Sequence, residues 1–207
     1  MRLSLLGRFL LVAIVALLCL MPLWYFFCAD LLAAPVFTMA GEIFGSLFHW
    51  VRSYERHGTT GVLFTQLKVF GPQGVGLLTP QVDYRMLGYG MVLLWAVLLA
   101  SLSRGWWRKL ILGSLAMLPL QTLSVCVQWL NDVANRAGKD VLAQSRLPQW
   151  VAEAAAFAFH FNLFIFTALA PVLLWLLLDR AFIERLWAEM RASASAVPVK
   201  DRMSPDA

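Results

Sequence analysis

Charged side chains are scarce in this chain. Aspartate, glutamate, lysine and arginine make up 14% of its 207 residues, whereas a soluble domain has roughly 25%. Hydrophobic residues make up 60%, and the mean hydropathy is +0.70. This composition excludes an ordinary soluble domain and predicts an all-α integral membrane protein. The length allows a small helical bundle and one modest element outside the membrane, but no separate large catalytic domain.

The signatures of common enzymes and metal sites are absent as well. The cysteines, Cys19, Cys28 and Cys126, form no CxxC pair and no zinc spacing. There is no Walker loop, no GxSxG, no HExxH and no dinucleotide-binding fingerprint. The net charge of +5 does not indicate nucleic-acid binding, because most basic residues flank apolar runs, where they meet lipid headgroups. We therefore predict no metal and no cofactor.

Four apolar runs are long enough to cross the hydrocarbon core, which takes about 20 helical residues. The predicted spans cover approximately residues 9–28, 86–102, 110–130 and 151–178. The first is interpreted as an uncleaved signal anchor, because its apolar run is longer than that of a signal peptide and no small-x-small cleavage site follows. The fold prediction is a four-transmembrane-helix bundle in one membrane domain, residues 1–195. A disordered cytoplasmic tail, residues 196–207, follows.

The basic residues predict how the bundle is oriented. Ten of the seventeen lysines and arginines lie in three short segments: before the first span, between the second and third, and after the fourth. By the positive-inside rule these segments lie in the cytoplasm. Both termini are then cytoplasmic, and residues 29–85 and 131–150 face outward.

The outer region 29–85 has two predicted parts. The segment "ADLLAAPVFTMAGEIFGSLFHW" is interrupted by Pro35 and Gly41, and we interpret it as an interfacial or re-entrant amphipathic helix. Whether residues 29–50 span the membrane stays open. The segment "TTGVLFTQLKVFGPQGVGLLTP" predicts a small β-hairpin, because "GPQG" divides two runs that favour strands. After the last span, "DRAFIERLWAEMRA" has the pattern of an amphipathic helix.

Polar residues inside the third and fourth spans recur at helical spacing and predict one intramembrane cluster. They are Gln121, Ser124, Gln128, Glu153, His160 and Thr167. Spacings of three, four and seven place each helix's set on one face, so we predict that His160 faces the bundle interior and that Asn162 lies on another face. Two roles stay open for the cluster. One is interhelical hydrogen bonding, typically worth about 0.6 kcal/mol per bond, and the other is an outward-facing polar cavity that binds a ligand.

Three residues offer an enzymatic alternative. Cys126, Arg136 and His160 occur in the chain order of the catalytic trio in membrane transpeptidases and proteases of the exosortase and archaeosortase type. A thiolate needs a nearby base, and an arginine can hold an oxyanion. However, no small residues flank Cys126, Arg136 follows it by only ten positions, and exosortases have more spans. We therefore assign no catalytic residue.

Four segments carry a resemblance that covers most of the chain: "PLWYFFCADLLAAPV", "GYGMVLLWAVLLAS", "LPLQTL" and "FNLFIFTALAPVLLWLLLDRAFI". In these segments the chain resembles the exosortase-associated small integral membrane proteins of bacteria. The resemblance implies a non-catalytic accessory role in protein sorting at the inner membrane, with another integral membrane protein as partner besides the lipid bilayer. The alternatives are a cysteine transpeptidase or protease and a small transporter subunit. The transporter is disfavoured because no inverted repeat is visible.

Overall fold

The structure is a computed structural model and describes residues 5–71 and 74–195. The described residues are mostly helical, with three π turns and a small amount of sheet. The helices are α1 Leu5–Leu23, α2 Ala29–Leu47, α3 Arg85–Ser101, α4 Trp106–Asn131, α5 Lys139–Ser145, α6 Gln149–Phe161, α7 Thr167–Leu178 and α8 Arg180–Ser195. The π turns are Trp24–Cys28, Asp132–Arg136 and Asn162–Phe166. The strands are β1 Val51–His57, β2 Thr60–Thr65, β3 Lys68–Gly71, β4 Gly74–Leu77 and β5 Gln81–Asp83.

Two long helices among the described residues are apolar enough to cross a membrane. They are Leu5–Leu47, of 43 residues, and Trp106–Arg136, of 31 residues. Two shorter apolar helices, Arg85–Ser101 and Thr167–Leu178, overlap the second and fourth predicted spans. Apolar helices thus overlap all four predicted spans, and two of these helices are long enough to cross a membrane.

The bundle is built around α3. This helix packs against α1, α4 and α7, and α4 also packs against α2 and α6. Met91, Leu94 and Leu98 of α3 are buried against Met117 of α4 and Trp175 of α7. The buried side of α3 therefore joins three other helices, as expected for the central helix of a small bundle.

The predicted separate outer helix is wrong in one respect: α2 continues α1 through the first π turn, without a break. Pro35 lies inside α2 and does not end it. Gly41 lets α2 pack closely on β1, because a Cβ at this position would overlap the ring of Tyr54. Both residues were interpreted as interruptions that argue against a fifth span, and both are accommodated within the helix.

Aromatic side chains join α2 to the end of α4. The rings of Phe37 and Phe44 lie 6.1 and 5.5 Å from that of Trp129, and all three are buried. Phe37 also contacts Tyr84, which immediately precedes α3. Burial of such large rings stabilises this end of the molecule, at roughly 1.5–3 kcal/mol for a large apolar side chain removed from water.

Five strands occupy the region where one hairpin is predicted. β2 is the centre of a three-stranded antiparallel sheet in the order β1-β2-β5, in which Tyr54 lies opposite Leu63. β3 and β4 form a second hairpin, with Gly71 opposite Gly74. This hairpin matches the predicted one, although Pro72 and Gln73 of "GPQG" lie outside the described residues. The sequence prediction missed the three-stranded sheet, because β1 is rich in charged residues.

The three basic segments meet at one end of the bundle. Lys109 of α4 donates a 2.7 Å hydrogen bond to Asp179, whose side chain is fully buried between α7 and α8. Burial opposes ionisation of Asp179, but hydrogen bonds from Lys109, Ser101 and Ser103, together with the charge of Lys109, outweigh it, so the pKa of this carboxyl lies below its usual value. Phe9 of α1 lies 5.2 Å, between ring centres, from Phe182 of α8. We call this end of the molecule the basic end.

The predicted C-terminal helix is confirmed as α8, which buries Phe182 and partly buries Leu186 against α1 and the bundle. The predicted disordered tail, residues 196–207, lies outside the described residues.

Gly90 permits a close contact between α3 and α7. A Cβ at this position would lie 2.7 Å from the backbone carbonyl oxygen of Thr167, which cannot move without shifting α7. We expect Gly90→Ala to lower the free energy of unfolding by about 1–3 kcal/mol, as overpacking does. Thermal unfolding of the purified protein in one detergent measures this.

Gly45 provides the matched control, because a Cβ there meets nothing within 4 Å. Gly45→Ala is expected to be neutral or stabilising by up to about 1 kcal/mol, since alanine favours a helix. Equal melting temperatures for the two variants would contradict the close packing of α3 on α7.

Candidate functional site

A buried glutamine joins α3 to α4. The hydroxyl of Tyr84 donates a 2.8 Å hydrogen bond to Oε1 of Gln121, and Nε2 of Gln121 donates at 3.3 Å to the carbonyl of Gly88. Burial raises the pKa of Tyr84 more than its bond to Gln121 lowers it, so the phenol stays protonated and acts as the donor. Gln121 is therefore satisfied by protein groups and is not available to a ligand.

A second polar contact joins α4 to the third π turn. Oγ of Ser124 donates a 2.7 Å hydrogen bond to Oδ1 of Asn162, and the hydroxyl of Thr167 donates at 2.7 Å to the backbone carbonyl of Asn162. All three side chains are buried. Asn162, which the spacing places on another face, is thus the polar residue that faces the interior.

The prediction that His160 faces the interior is not what the structure shows. His160 and Glu153 are exposed, and Nδ1 of His160 lies 2.7 Å from the carbonyl of Ala156 in its own helix. The spacing of seven correctly gives these two residues a common face, but that face points outward. Asn162 shares the inner face with Ala152 and Ala155, both buried.

The third π turn explains why Thr167 does not lie on the same helix face as His160. A π turn accommodates one extra residue relative to the α-helix, so the helix after it is rotated about its axis. Thr167 therefore lies near Asn162 rather than below His160. The six predicted residues do not form one cluster: Gln121 and Ser124 have separate partners, Gln128 is half-buried, and Glu153 and His160 lie outside.

Cys126 and His160 have different surroundings. Ser124 points from α4 towards Asn162, which is two residues after His160 in sequence. Cys126 lies about 200° from Ser124 around the helix and lines a groove against α2. The thiol therefore points away from the helix that carries the imidazole.

Arg136 is engaged with its own helix. Its Nη1 donates a 3.0 Å hydrogen bond to Oδ1 of Asp132, four residues earlier. The structure brings Cys126, Arg136 and His160 into no common site.

The groove beside Cys126 is a cavity of about 330 Å³ between α2 and the second half of α4. Met39, Ile43 and Leu47 of α2 line one wall, and Leu123 and Val127 of α4 line the other. We call it the α2–α4 groove. Sequence reasoning missed it because it forms only when α2 folds against α4.

The α2–α4 groove has almost no polar chemistry. Thr122 is its one hydroxyl residue, and its Oγ1 already donates to the carbonyl of Leu118 at 2.9 Å. No lining residue is charged. The groove can hold an apolar helix or an acyl chain, but it offers no acid, base or oxyanion donor.

No group of three or more metal-ligating side chains occurs in residues 5–71 and 74–195. At the sheet, Nε2 of His57 lies 3.5 Å from a carboxylate oxygen of Glu55, and both side chains are exposed.

Replacing the inward polar residue should cost stability. Asn162→Leu removes the hydrogen bond from Ser124 to Asn162 and leaves the Ser124 hydroxyl with the carbonyl of Leu120, 3.1 Å away in its own helix, at a cost of about 0.5–1.5 kcal/mol. His160→Leu should cost less, because His160 is exposed. Melting curves of the parent and both variants in one detergent test this. A larger loss for His160→Leu than for Asn162→Leu would mean that the helix is rotated relative to this structure.

Comparison with known protein families gives a match. A family model described as exosortase H-associated membrane protein matches residues 3–182, which covers most of the chain. No curated protein and no solved structure matches the chain significantly. The expected resemblance to exosortase-associated membrane proteins is thereby confirmed. The chain belongs to the family of exosortase H-associated membrane proteins.

Proposed function

We propose that this protein is a non-catalytic accessory subunit for an exosortase in a protein-sorting system of the bacterial inner membrane. The family description carries the proposal, because it associates such proteins with exosortase H. The geometry supports it in one respect. Cys126 faces the apolar α2–α4 groove, Arg136 donates a hydrogen bond to Asp132, and His160 lies on an exposed face. These three side chains therefore do not form a nucleophile–base pair with an oxyanion donor.

The α2–α4 groove is the proposed contact with the exosortase, and its occupant is an apolar helix of the exosortase that packs beside α2 and the second half of α4. Both walls belong to the two long apolar helices, so the groove offers an apolar surface to such a helix. Its exposed residues include Ile43, Leu47 and Leu123. Because the lining carries no charge, shape and van der Waals packing hold such a helix, as is usual in membranes.

Filling the groove should weaken the complex. Leu123→Trp places a larger ring in the α2–α4 groove, and we expect it to reduce the amount of exosortase that copurifies with the protein at least several-fold. Leu115→Trp is the matched control. It is the same change on the same helix, at a residue that is also exposed but does not line the groove.

Two outcomes would count against this. Undiminished copurification with Leu123→Trp would remove the groove from the contact, while loss with both variants would point to general damage to α4. Failure of the parent to copurify with the exosortase would contradict the proposed function itself. If only lipid occupied the groove, Leu123→Trp would change lipid retention and not the complex.

We also propose that four helical segments cross the bilayer: α1, α3, α4 and the segment 149–178. The last runs without a break through α6, the third π turn and α7, and α3 has 17 residues, within the usual range of about 17–25. The meeting of the basic segments at one end supports a shared cytoplasmic side, with both termini in the cytoplasm.

Reporter fusions test this topology. Fusions after Ser103 and after Ser195 should report the cytoplasm, whereas fusions near Gly74 and Lys139 should report the outside. A cytoplasmic signal near Gly74 would mean that the helix Leu5–Leu47 crosses the membrane differently, and the four-span scheme would be wrong.

A further inference from the structure

A cleft at the basic end contains two arginines from different helices. It lies between the start of α1, the end of α3 and α8, and its volume is about 240 Å³. Arg8 of α1 and Arg185 of α8 line it together with apolar residues. Phe9 and Phe182, whose rings are 5.2 Å apart, form part of its wall. Residues far apart in sequence thus build one basic, apolar-walled cleft.

The charges in this cleft are of one sign. No acidic residue lines it. Within the described part of the chain, none of the ion pairs includes Arg8 or Arg185. Glu189, which is nearby on α8, accepts a hydrogen bond from the backbone N–H of Leu5. The two guanidinium groups are therefore available to an anion that enters from outside the protein.

We propose that the cleft between Arg8 and Arg185 binds the phosphate of an anionic phospholipid headgroup. A guanidinium group matches phosphate geometry through two parallel hydrogen bonds. The apolar wall, with Val12 and Leu102, suits the glycerol carbons and the first methylenes of the chains. The site goes beyond the accessory function and does not depend on the exosortase.

The size and position of the cleft favour a lipid over a soluble ligand. Pockets for drug-sized ligands measure about 300–1,000 Å³, so this cleft suits a headgroup rather than a whole nucleotide. It begins within the first turns of the long apolar helix Leu5–Leu47. Basic residues at the ends of membrane helices meet the headgroup layer, where anionic lipids are recognised.

A bound headgroup would also hold α8 against α1. Arg8 and Arg185 belong to these two helices, which meet through Phe9 and Phe182. The two positive guanidinium groups repel each other, and a phosphate between them attracts both. Binding should therefore stabilise the folded protein, in proportion to occupancy.

The experiment uses the purified full chain in a neutral detergent. Short-chain phosphatidylglycerol is titrated while the melting temperature is followed, with phosphatidylcholine of equal chain length and inorganic phosphate as separate arms. We expect a saturable rise with phosphatidylglycerol alone. An equal rise with phosphatidylcholine would overturn the role of the anionic headgroup, and an equal rise with inorganic phosphate would show a free-anion site instead of a lipid site.

Paired variants test the residues. The double change Arg8→Gln with Arg185→Gln should raise the dissociation constant for phosphatidylglycerol roughly 25-fold, because each basic residue contributes about fivefold. Arg104→Gln with Arg180→Gln removes the same charge at exposed positions outside the cleft, and should change it much less. Equal losses in the two double variants would overturn the site in favour of general charge attraction.

A third variant keeps the test decisive if the glutamine pair does not fold. Arg8→Lys with Arg185→Lys keeps the charge but removes the planar two-pronged donor. We expect measurable but weaker binding of phosphatidylglycerol than in the parent. Unchanged affinity would contradict recognition by the paired guanidinium groups.

Discussion

The length of the first helix is the constraint on which the sheet-bearing half of the molecule depends. At about 1.5 Å per residue, its 43 residues extend roughly 65 Å, about twice the 30 Å hydrocarbon core of a bilayer. A single crossing uses about half of the helix. The remainder, α2, needs a place, and the structure packs it against α4 and the sheet, with Phe37 and Phe44 buried on Trp129.

The other features of this half follow from the position of α2. Gly41 on α2 and Gly61 on β2 let helix and sheet approach, since a Cβ at either would meet an aromatic ring. The opposite side of the α2–α4 contact leaves the apolar groove that contains Cys126. Packing thus places the thiol among apolar side chains, away from Arg136 and His160. This arrangement suits a protein that holds a partner rather than one that attacks a substrate.

Composition and hydropathy predicted the apolar helices well, because the membrane requires each backbone polar group to be satisfied within a helix. The polar interior was harder to predict. The spacing correctly predicts that Glu153 and His160 share a face, but the sequence does not reveal which face points inward. The third π turn also rotates the helix about its axis before Thr167. The small residues Ala152 and Ala155, on the face of Asn162, were the available signal. Pro35 and Gly41 were interpreted as interruptions of the apolar segment, but Pro35 lies inside α2 and Gly41 packs against the ring of Tyr54.

The central claim is that this chain supports sorting without performing its chemistry. Its most direct test is substrate processing in cells in which Cys126→Ser replaces the parent at normal protein level. The account predicts processing within a few-fold of the parent, because the thiol only packs in an apolar groove. Abolished processing with normal abundance and an intact complex with the exosortase would contradict it and would make Cys126 a nucleophile.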